Sequence, residues 1–313
     1  TGLIRAGDTA PADATMTVTG NISQSGRLSS LGALNISAAT LSNLAGSTVE
    51  ATNLTVNATG ATVNAGAVHG AQSLAWTAAS LANNAGATLT SGGAMTLSGQ
   101  PTGTTSFTNS GTASANTLTA TFGTITNNAA AKLYAESNLT ATANTLTNSG
   151  NVQSNGAMTL NVGALSNTAT TTETAYITAA NNLTIGANKT LYNTASSAQR
   201  AIIASTSGQL SITSQLASPG TQIVRNRGGL LFGGTGLSLL VSQTLINETW
   251  GGRRGTIYAS SGSMVLGAAN TGAVGSQLVK NVNADIENKT GSVTINANTF
   301  ENTVNSFTIT KEP

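Results

Sequence analysis

Residues 145–162 read TLTNSGNVQSNGAMTLNV, and most of the chain is a variation on this phrase. An apolar residue is followed two places later by Asn; a Gly, a short apolar alternation, a polar turn and a second alternation come next. Alternation with a period of two residues is typical of β-strands, and the clusters of Gly, Asn and Ser between the runs are typical of turns. The phrase therefore predicts short strands, three to a unit, and no segment keeps the spacing of an amphipathic helix.

The marker of the unit, an apolar residue with Asn two places on, recurs at intervals of 18 to 40 residues, most often 19 to 21. Ile22 with Gln24, and Val63 with Ala65, are interpreted as degenerate copies, and the second copy divides the longest interval into two ordinary steps. The Asn of the marker stands at Asn43, Asn83, Asn109, Asn127, Asn148, Asn167, Asn193, Asn226, Asn247, Asn281 and Asn302.

Short strands at a period of about 20 residues cannot each bury a core, but stacked units can. In such a stack every unit turns its aliphatic side chains inward and hydrogen-bonds to the units before and after it. The pattern predicts an all-β fold, a parallel β-helix of about 14 coils, with the right hand that parallel crossovers nearly always have. Residues 1–313 are expected to form a single repeat segment, with longer loops in the coils of residues 194–276.

The recurring Asn has a predicted role in this stack. Each Asn would lie over the Asn of the next coil, so that the side-chain amides hydrogen-bond in a ladder, as stacked Asn rows do in cross-β assemblies. Asn also tolerates the left-handed conformation of a tight corner, and the Gly two residues later permits close backbone approach. The same register predicts two outer pairs of opposite charge, Arg227 with Glu248 and Lys280 with Glu301.

The composition excludes several classes of protein. Charged residues make up 7% of the chain, against about 25% in typical soluble domains, and polarity comes from 33 Asn, 53 Thr and 33 Ser. With 39% hydrophobic residues and a net charge of +2, the chain does not fit the pattern of a disordered protein. No dense Lys/Arg stripe suggests a nucleic-acid partner, and no run of 18 apolar residues predicts a membrane span. The absence of cysteine excludes disulfides, thiol catalysis and Cys-based zinc sites.

The unit at residues 145–167, with its echoes at 39–58 and 244–268, resembles the haemagglutinin repeats of filamentous haemagglutinin-like exoproteins. That family includes two-partner-secreted adhesins and contact-dependent growth inhibition effectors, and the resemblance runs from about Ile22 to Phe307. It implies a fibre segment of a secreted or surface-exposed bacterial protein, exported unfolded through an outer-membrane two-partner transporter. The family's amino-terminal secretion domain and a toxin region are not recognisable, so we expect one piece of a longer exoprotein.

Uneven spacing suggests where such a fibre would bind a receptor or a glycan. The intervals 193–226 and 247–281 are longer than the others, and loops that interrupt a solenoid commonly carry binding functions. An aromatic ring beside several guanidinium groups could stack on a sugar or pair with sulfate, phosphate or sialate. The alternative is a passive stalk, in which the Trp covers a hydrophobic seam and the Arg side chains keep a turn soluble. The candidate binding residues are Trp250, Arg253, Arg254, Arg225 and Arg227.

A polysaccharide lyase or hydrolase built on a β-helix is a second alternative. Asp285 and Glu287 flank Ile286, so both should point outward from one strand, with Glu301 one coil away. Paired carboxylates can hydrolyse glycosides, but the simpler interpretation is that these acids keep an exposed strand soluble. We therefore expect no enzymatic activity and no catalytic residue.

No metal site or cofactor is predicted. His69 is the only histidine and has no second ligand near it in the sequence, and residues 233–239 lack the Asp of a calcium-binding nonapeptide repeat. A third alternative is an ice-binding or purely structural solenoid, suggested by Thr-x-Thr runs such as Thr117 to Thr119. It would need such pairs at one fixed place in every coil, and the sequence does not indicate that arrangement.

Overall fold

The structure, a computed structural model, describes residues 2–7, 9–101, 103–213, 223–267 and 276–304. These residues form 29 β-strands and no helix, so within them no helix is suited to cross a membrane. Parallel pairing joins each coil to the next along the described chain.

The first strands are β1 (Leu3–Ala6), β2 (Ala14–Thr17), β3 (Asn21–Gln24), β4 (Arg27–Ala38), β5 (Thr40–Asn43), β6 (Thr48–Ala58), β7 (Ala61–Asn64), β8 (Ala67–Ala78), β9 (Ser80–Asn83), β10 (Thr88–Gly99), β11 (Ser106–Asn109), β12 (Thr112–Thr121), β13 (Thr124–Asn127) and β14 (Lys132–Asn148). The remaining strands are β15 (Asn151–Ser154), β16 (Met158–Thr168), β17 (Ala175–Ala179), β18 (Leu183–Thr194), β19 (Ala201–Ser205), β20 (Gln209–Thr213), β21 (Ile223–Arg227), β22 (Leu230–Gly233), β23 (Gly236–Leu240), β24 (Thr244–Glu248), β25 (Thr256–Ala259), β26 (Met264–Gly267), β27 (Ser276–Val282), β28 (Asp285–Asn288) and β29 (Val293–Thr303).

Three walls of parallel strands enclose one core. The ladder wall holds β3, β5, β7, β9, β11, β13, β21, β24 and β27, with the carboxy-terminal parts of β14, β16, β18 and β29. The second wall follows the ladder wall across a corner and holds β1, β15, β17, β19, β22, β25 and β28. It also contains the amino-terminal parts of the long strands β4, β6, β8, β10, β12 and β14. The third wall completes the coil with β2, β20, β23 and β26 and the remaining parts of the long strands.

The predicted all-β, parallel, solenoid-like architecture is confirmed, but the division of each unit into three short strands is not general. In several coils one strand continues from one wall into the next, and β14 runs through all three walls over 17 residues. The turn residues between the walls there do not interrupt the backbone pairing, since the register shifts by one residue at the corner instead. A polar cluster in the sequence therefore marks a bend of the strand more often than its end.

Inward-facing aliphatic side chains form one main core along the described coils, with a small separate cluster of Ala169, Ala175 and Ala201. A buried row on the third wall pairs Leu34, Leu54, Leu74 and Met95 in register, and the outward neighbours along these strands are mostly Thr, Ser and Asn. Trp76 ends an inward-facing alternation on β8, is 1% exposed and belongs to this core. Because no coil buries its own face, each coil is stable only against its neighbours.

The degenerate copy predicted at Val63 and Ala65 is wrong by one residue. Asn64 takes the ladder position opposite Asn83, and Thr62 takes the apolar position. Thr62 is buried without penalty because its hydroxyl accepts a hydrogen bond from the indole Nε1 of Trp76 at 3.2 Å and donates one to a backbone carbonyl.

The ladder Asn residues do not adopt the left-handed conformation expected of them. The non-glycine residues with positive φ in the described part of the chain are Ala130 and Asn283, at 62° and 49°. The Asn of the marker instead lies within or at the end of an extended strand. The other expectation, close approach at the following Gly, is met at Gly150, where a Cβ would lie 2.5 Å from the carbonyl oxygen of Ala131.

Candidate functional site

A continuous row of side-chain amides runs up the ladder wall. In each coil the Asn Nδ2 donates to the Oδ1 of the Asn in the next coil, with N···O distances of 2.7 to 2.9 Å and every donor pointing toward the carboxy terminus. All eleven Asn residues of the marker lie in this row, and Asn64 is a twelfth member. The row consists of Asn43, Asn64, Asn83, Asn109, Asn127, Asn148, Asn167, Asn193, Asn226, Asn247, Asn281 and Asn302.

The second amide hydrogen of these residues is also used. Asn148, for example, donates to the carbonyl oxygen of Tyr176 at 2.9 Å, and this carbonyl lies one coil ahead on the second wall. Gln24, which pairs in register with Asn43, makes the same kind of bond to the carbonyl oxygen of Thr48. The buried amides therefore bind each corner to the coil that follows it, and the aligned dipoles reinforce one another.

Three turns project from the corner between the ladder wall and the second wall. The best defined is a two-residue hairpin in which Trp250 and Arg253 exchange both backbone hydrogen bonds, at 2.8 and 3.0 Å. Gly251 and Gly252 have φ values of 56° and 77°, as a type I′ turn requires, and glycine adopts them without strain. We call the three turns together the corner spur; they comprise residues 170–173, 196–199 and 250–253.

The turns of the corner spur hold one another. The hydroxyl of Ser196 donates to the carbonyl oxygen of Thr170 at 2.7 Å, and the guanidinium of Arg253 donates to the carbonyl oxygen of Ala198. Arg253 is thus tied to the turn beneath it, although its Nε is buried with no partner among the described atoms. The spur is a packed unit and not a set of separate loops.

Glu248 joins two of the predicted binding residues. Its carboxylate accepts from Arg225 Nε at 2.6 Å and from Arg227 Nε at 2.8 Å, and the Arg227 guanidinium lies 4.6 Å from the centre of the Trp250 ring. Burial raises the pKa of Glu248, but the hydrogen bonds and charges of the two Arg side chains outweigh burial, so that the pKa lies below its ordinary value. Both guanidiniums are therefore occupied within the protein, and the guanidinium of Arg227 supports the Trp250 ring.

The five predicted binding residues consequently fall into two groups. Arg225, Arg227 and Arg253 are engaged by protein groups. Arg254 also has a partner, Asp285 at 3.2 Å, but 70% of its side chain is exposed. Trp250 is 46% exposed. A ligand at the corner spur would meet the Trp250 ring and the Arg254 guanidinium first.

The extra residues of the two long intervals, 193–226 and 247–281, include two segments that meet in this spur. Residues 194–201 contribute its middle turn and residues 248–255 its last turn. The other extra residues of these intervals are 215–222 and 268–277, and of these only Ser276 and Gln277, at the start of β27, lie within the described residues. Spacing alone indicated that these coils are longer but not that the loops contact each other.

Comparison with known proteins places this architecture in a family. The model of the haemagglutinin repeat matches residues 4–52, 32–99, 103–174, 159–218 and 205–265. The chain belongs to the haemagglutinin repeat family. The resemblance inferred from the repeated unit is thereby confirmed, and such repeats are typical of the stalks of filamentous secreted or surface adhesins. No curated protein and no solved structure matches the chain.

The carboxylates considered for catalysis lie on two different walls of this haemagglutinin-repeat chain. Asp285 is on β28 of the second wall, paired with Arg254, and Glu301 is on the ladder wall, paired with Lys280 at 2.8 Å. Across the described residues, no three His, Cys, Asp or Glu side chains gather as a metal site would require. His69 bonds through Nδ1 to Thr90 Oγ1 at 2.9 Å on an exposed strand. These acids and the histidine fit solvated outer faces.

A groove of about 890 Å³ lies over the last described coil. Arg254, Asp285 and Glu287 line one side of it. Its floor includes Ile286 and Phe300, which occupy inward positions in register with buried residues of the preceding coil. The apolar floor is therefore the exposed end of the described core, and not a binding pocket formed by outward-facing side chains.

A threonine row on the third wall departs from the sequence-based expectation that Thr residues have no fixed place. The positions two residues after the members of this row do not form a second threonine row. Thr121 and Thr142 are threonines there, but the next two coils have Asn161 and Gly186 in register with them. A flat array needs both rows, but along the row of five threonines only two adjacent coils have threonine at both positions, and the pair Thr15 and Thr17 on β2 stands apart from them. The row itself consists of Thr96, Thr119, Thr140, Thr159 and Thr184.

Sequence reasoning missed an apolar surface on the second wall. On β17, β19, β22 and β25 at least one outward position of each strand carries a large apolar or aromatic side chain, where other strands of the haemagglutinin-repeat chain mostly carry polar residues. The signal was present as runs in which both alternating positions are apolar, such as AII and LLF. We call this surface the outer apolar patch; it comprises Tyr176, Ile202, Leu230, Phe232 and Tyr258.

Proposed function

We propose that the chain is a rigid segment of a secreted or surface-exposed bacterial adhesin fibre, in which the corner spur binds a cell-surface receptor or glycan. The observation that carries the fibre role is the Asn row, which fastens each coil to the next along the ladder wall from Asn43 to Asn302. A right-handed path and about 14 coils are part of this proposal.

The export route is part of the same proposal. An outer-membrane two-partner transporter would recognise a secretion domain elsewhere in the exoprotein and pass this segment unfolded. The lack of cysteine and the low charge suit such a passage, and pairing between adjacent coils allows folding to proceed coil by coil outside the cell. Adhesins and contact-dependent growth inhibition effectors both use fibres of this kind, and no enzymatic step or cofactor is needed for either.

The spur offers a defined chemistry for recognition. The Trp250 ring is exposed and supported from within by Arg227, so a sugar ring or another flat group can stack on it at low entropic cost. The exposed Arg254 guanidinium lies four residues away on the same corner and can pair with a carboxylate, sulfate or phosphate. An acidic glycan, or a receptor that presents an acidic group beside an apolar one, fits this pair.

Cell binding measured by flow cytometry tests the proposal. The labelled chain is compared with the variant W250A/R254A on bacterial and mammalian cells. The matched control is K132A/Y134A, which removes a cation and an aromatic ring that contact each other on the second wall, five coils before Thr256. Saturable binding that is lost in the spur variant and kept in the control is the expected result.

Two results would contradict the assignment of binding to the spur. Equal binding by all three proteins would place recognition elsewhere on the chain. Negligible binding by all three would leave a passive stalk as the function. Arg225, Arg227 and Arg253 are left unchanged in this design, because their removal would disturb the ion pair and the turn contacts described above.

A further inference from the structure

We propose that the outer apolar patch is a self-association surface, through which two copies of the chain pack second wall to second wall with their solenoid axes antiparallel. The argument uses the outward side chains of the second wall and their register. It does not depend on receptor binding at the corner spur.

The patch is unusual for the outer face of this protein. Tyr176 is 38% exposed, and the rings of Phe232 and Tyr258 are stacked with centroids 5.6 Å apart and planes 12° from parallel. At the equivalent outward positions the earlier coils carry Thr88 and Thr112. Since threonine satisfies the fold at these positions, the apolar side chains are not required by the solenoid itself. Contiguous apolar surface of this kind marks an interaction site.

Two outward rows define what a partner would meet. The first row runs, coil by coil, Lys132, Asn151, Tyr176, Ile202, Leu230, Thr256 and Asp285. The second row runs Tyr134, Gln153, Thr178, Ala204, Phe232, Tyr258 and Glu287. Ile202 and Ala204 of β19 stand at the middle of the rows, with a cation at one end and two carboxylates at the other.

This arrangement is self-complementary when a two-fold axis runs along β19. The axis places Lys132 of one copy opposite Asp285 of the second copy, and the same contact occurs again at the other end. It also places the bulky Phe232 opposite the smaller Thr178, and Ile202 opposite its own counterpart. Opposite charges at both ends and interlocking sizes between them are what an isologous interface needs.

Other arrangements fit less well. If the axes were parallel, the first row would face the second row of the other copy in the same coil, and Asp285 would meet Glu287. That contact brings like charges together at an apolar surface, which is unfavourable. A glycan would find few hydrogen-bonding groups at Ile202, Leu230 and Phe232. Five apolar side chains per copy make a small interface, so we expect weak association that depends on concentration.

Sedimentation velocity and disulfide trapping test the proposal. The sedimentation coefficient of the chain is expected to rise over about a hundredfold increase in concentration, and L230T/F232T should abolish this rise. The matched control I246T removes an outward apolar residue from the ladder wall and should leave association unchanged. Because the chain has no cysteine, I202C should form a disulfide-linked dimer under mild oxidation, whereas S211C on the third wall should not.

Charge exchange tests the antiparallel direction. K132E or D285K alone should weaken association, since each places like charges opposite one another, and K132E/D285K should restore it.

A chain that stays monomeric at every concentration would overturn the proposal. Association that persists in L230T/F232T, or equal cross-linking of I202C and S211C, would overturn the assignment of self-association to the patch. If the chain is monomeric and L230T/F232T loses cell binding, the patch binds a different partner.

Discussion

Replacing one Asn in the middle of the ladder should destabilise the chain far more than replacing an exposed Asn nearby. Asn148 is 0% exposed. It donates to Asn167 Oδ1 at 2.7 Å and to the carbonyl oxygen of Tyr176 at 2.9 Å, and it accepts from Asn127 Nδ2 at 2.8 Å. N148A removes these three bonds, each of which contributes about 1 kcal/mol, and also two longer bonds with the backbone of Gly150, both at 3.2 Å.

The loss does not end with the bonds themselves. Asn167 Oδ1 stays buried and loses the donor from the preceding coil, which adds about 1 kcal/mol or more. We therefore expect N148A to lower the free energy of unfolding by about 4 kcal/mol. Urea unfolding followed by far-ultraviolet circular dichroism measures this difference through the shift of the midpoint at constant slope.

The matched control is N161A, an identical change at an exposed outward position of the next coil on the third wall. It should change the free energy of unfolding by no more than about 0.5 kcal/mol. N302A removes the last member of the row, which is exposed, and should cost about 1 kcal/mol. A loss below about 1.5 kcal/mol for N148A would refute the role given to the ladder.

Two further predictions concern the corners and the buried ion pair. G150A should lower the free energy of unfolding by several kcal/mol, because the new Cβ would lie 2.5 Å from the carbonyl oxygen of Ala131. The control is G46A: no atom lies within 4 Å of a Cβ at Gly46, so only the roughly 1 kcal/mol of a positive φ should be lost. Thermal unfolding of the two variants measures the difference. Because the pKa of Glu248 is below the ordinary 4.5 in the folded chain, its pairing stabilises the protein above that pH, and this contribution is lost as the pH falls through the folded pKa. E248Q should therefore flatten the fall in melting temperature between about pH 6 and pH 3, and parallel curves for the two proteins would contradict this.

The ladder could be predicted from the sequence because a buried amide needs a partner in every coil. An Asn that recurs behind an apolar residue satisfies that need only if the coils stack, so periodicity and chemistry gave the same answer. Thr62 and Asn64 do not fit the marker, because the marker has an apolar residue two places before the Asn and Thr62 is polar. Thr62 stands there because its hydroxyl bonds to Trp76 and to a carbonyl, and that partner becomes visible only when the wall is folded.

The sequence predicted one of the two ion pairs that Glu248 makes beside the spur. Arg227 and Glu248 were paired by their equal offset from the marker Asn, but Arg225 also reaches Glu248. Residues two apart on a strand point to the same side, so the diagonal neighbour in the next coil is within reach of a long side chain. The rule was available in the sequence, whereas the contact of Arg253 with the turn of residues 196–199 was not, because loop conformation decides it.

The outer apolar patch separates what the fold requires from what it does not. Runs such as AII and LLF are typical of strands buried on both faces, so their outward residues were indistinguishable from core residues in the sequence. The register resolves this, because threonine occupies the same rows in earlier coils that are equally well paired. It follows that L230T/F232T should alter the free energy of unfolding of the monomer by less than about 1 kcal/mol while abolishing association. A large loss of monomer stability would mean instead that Leu230 and Phe232 belong to the packing of the solenoid.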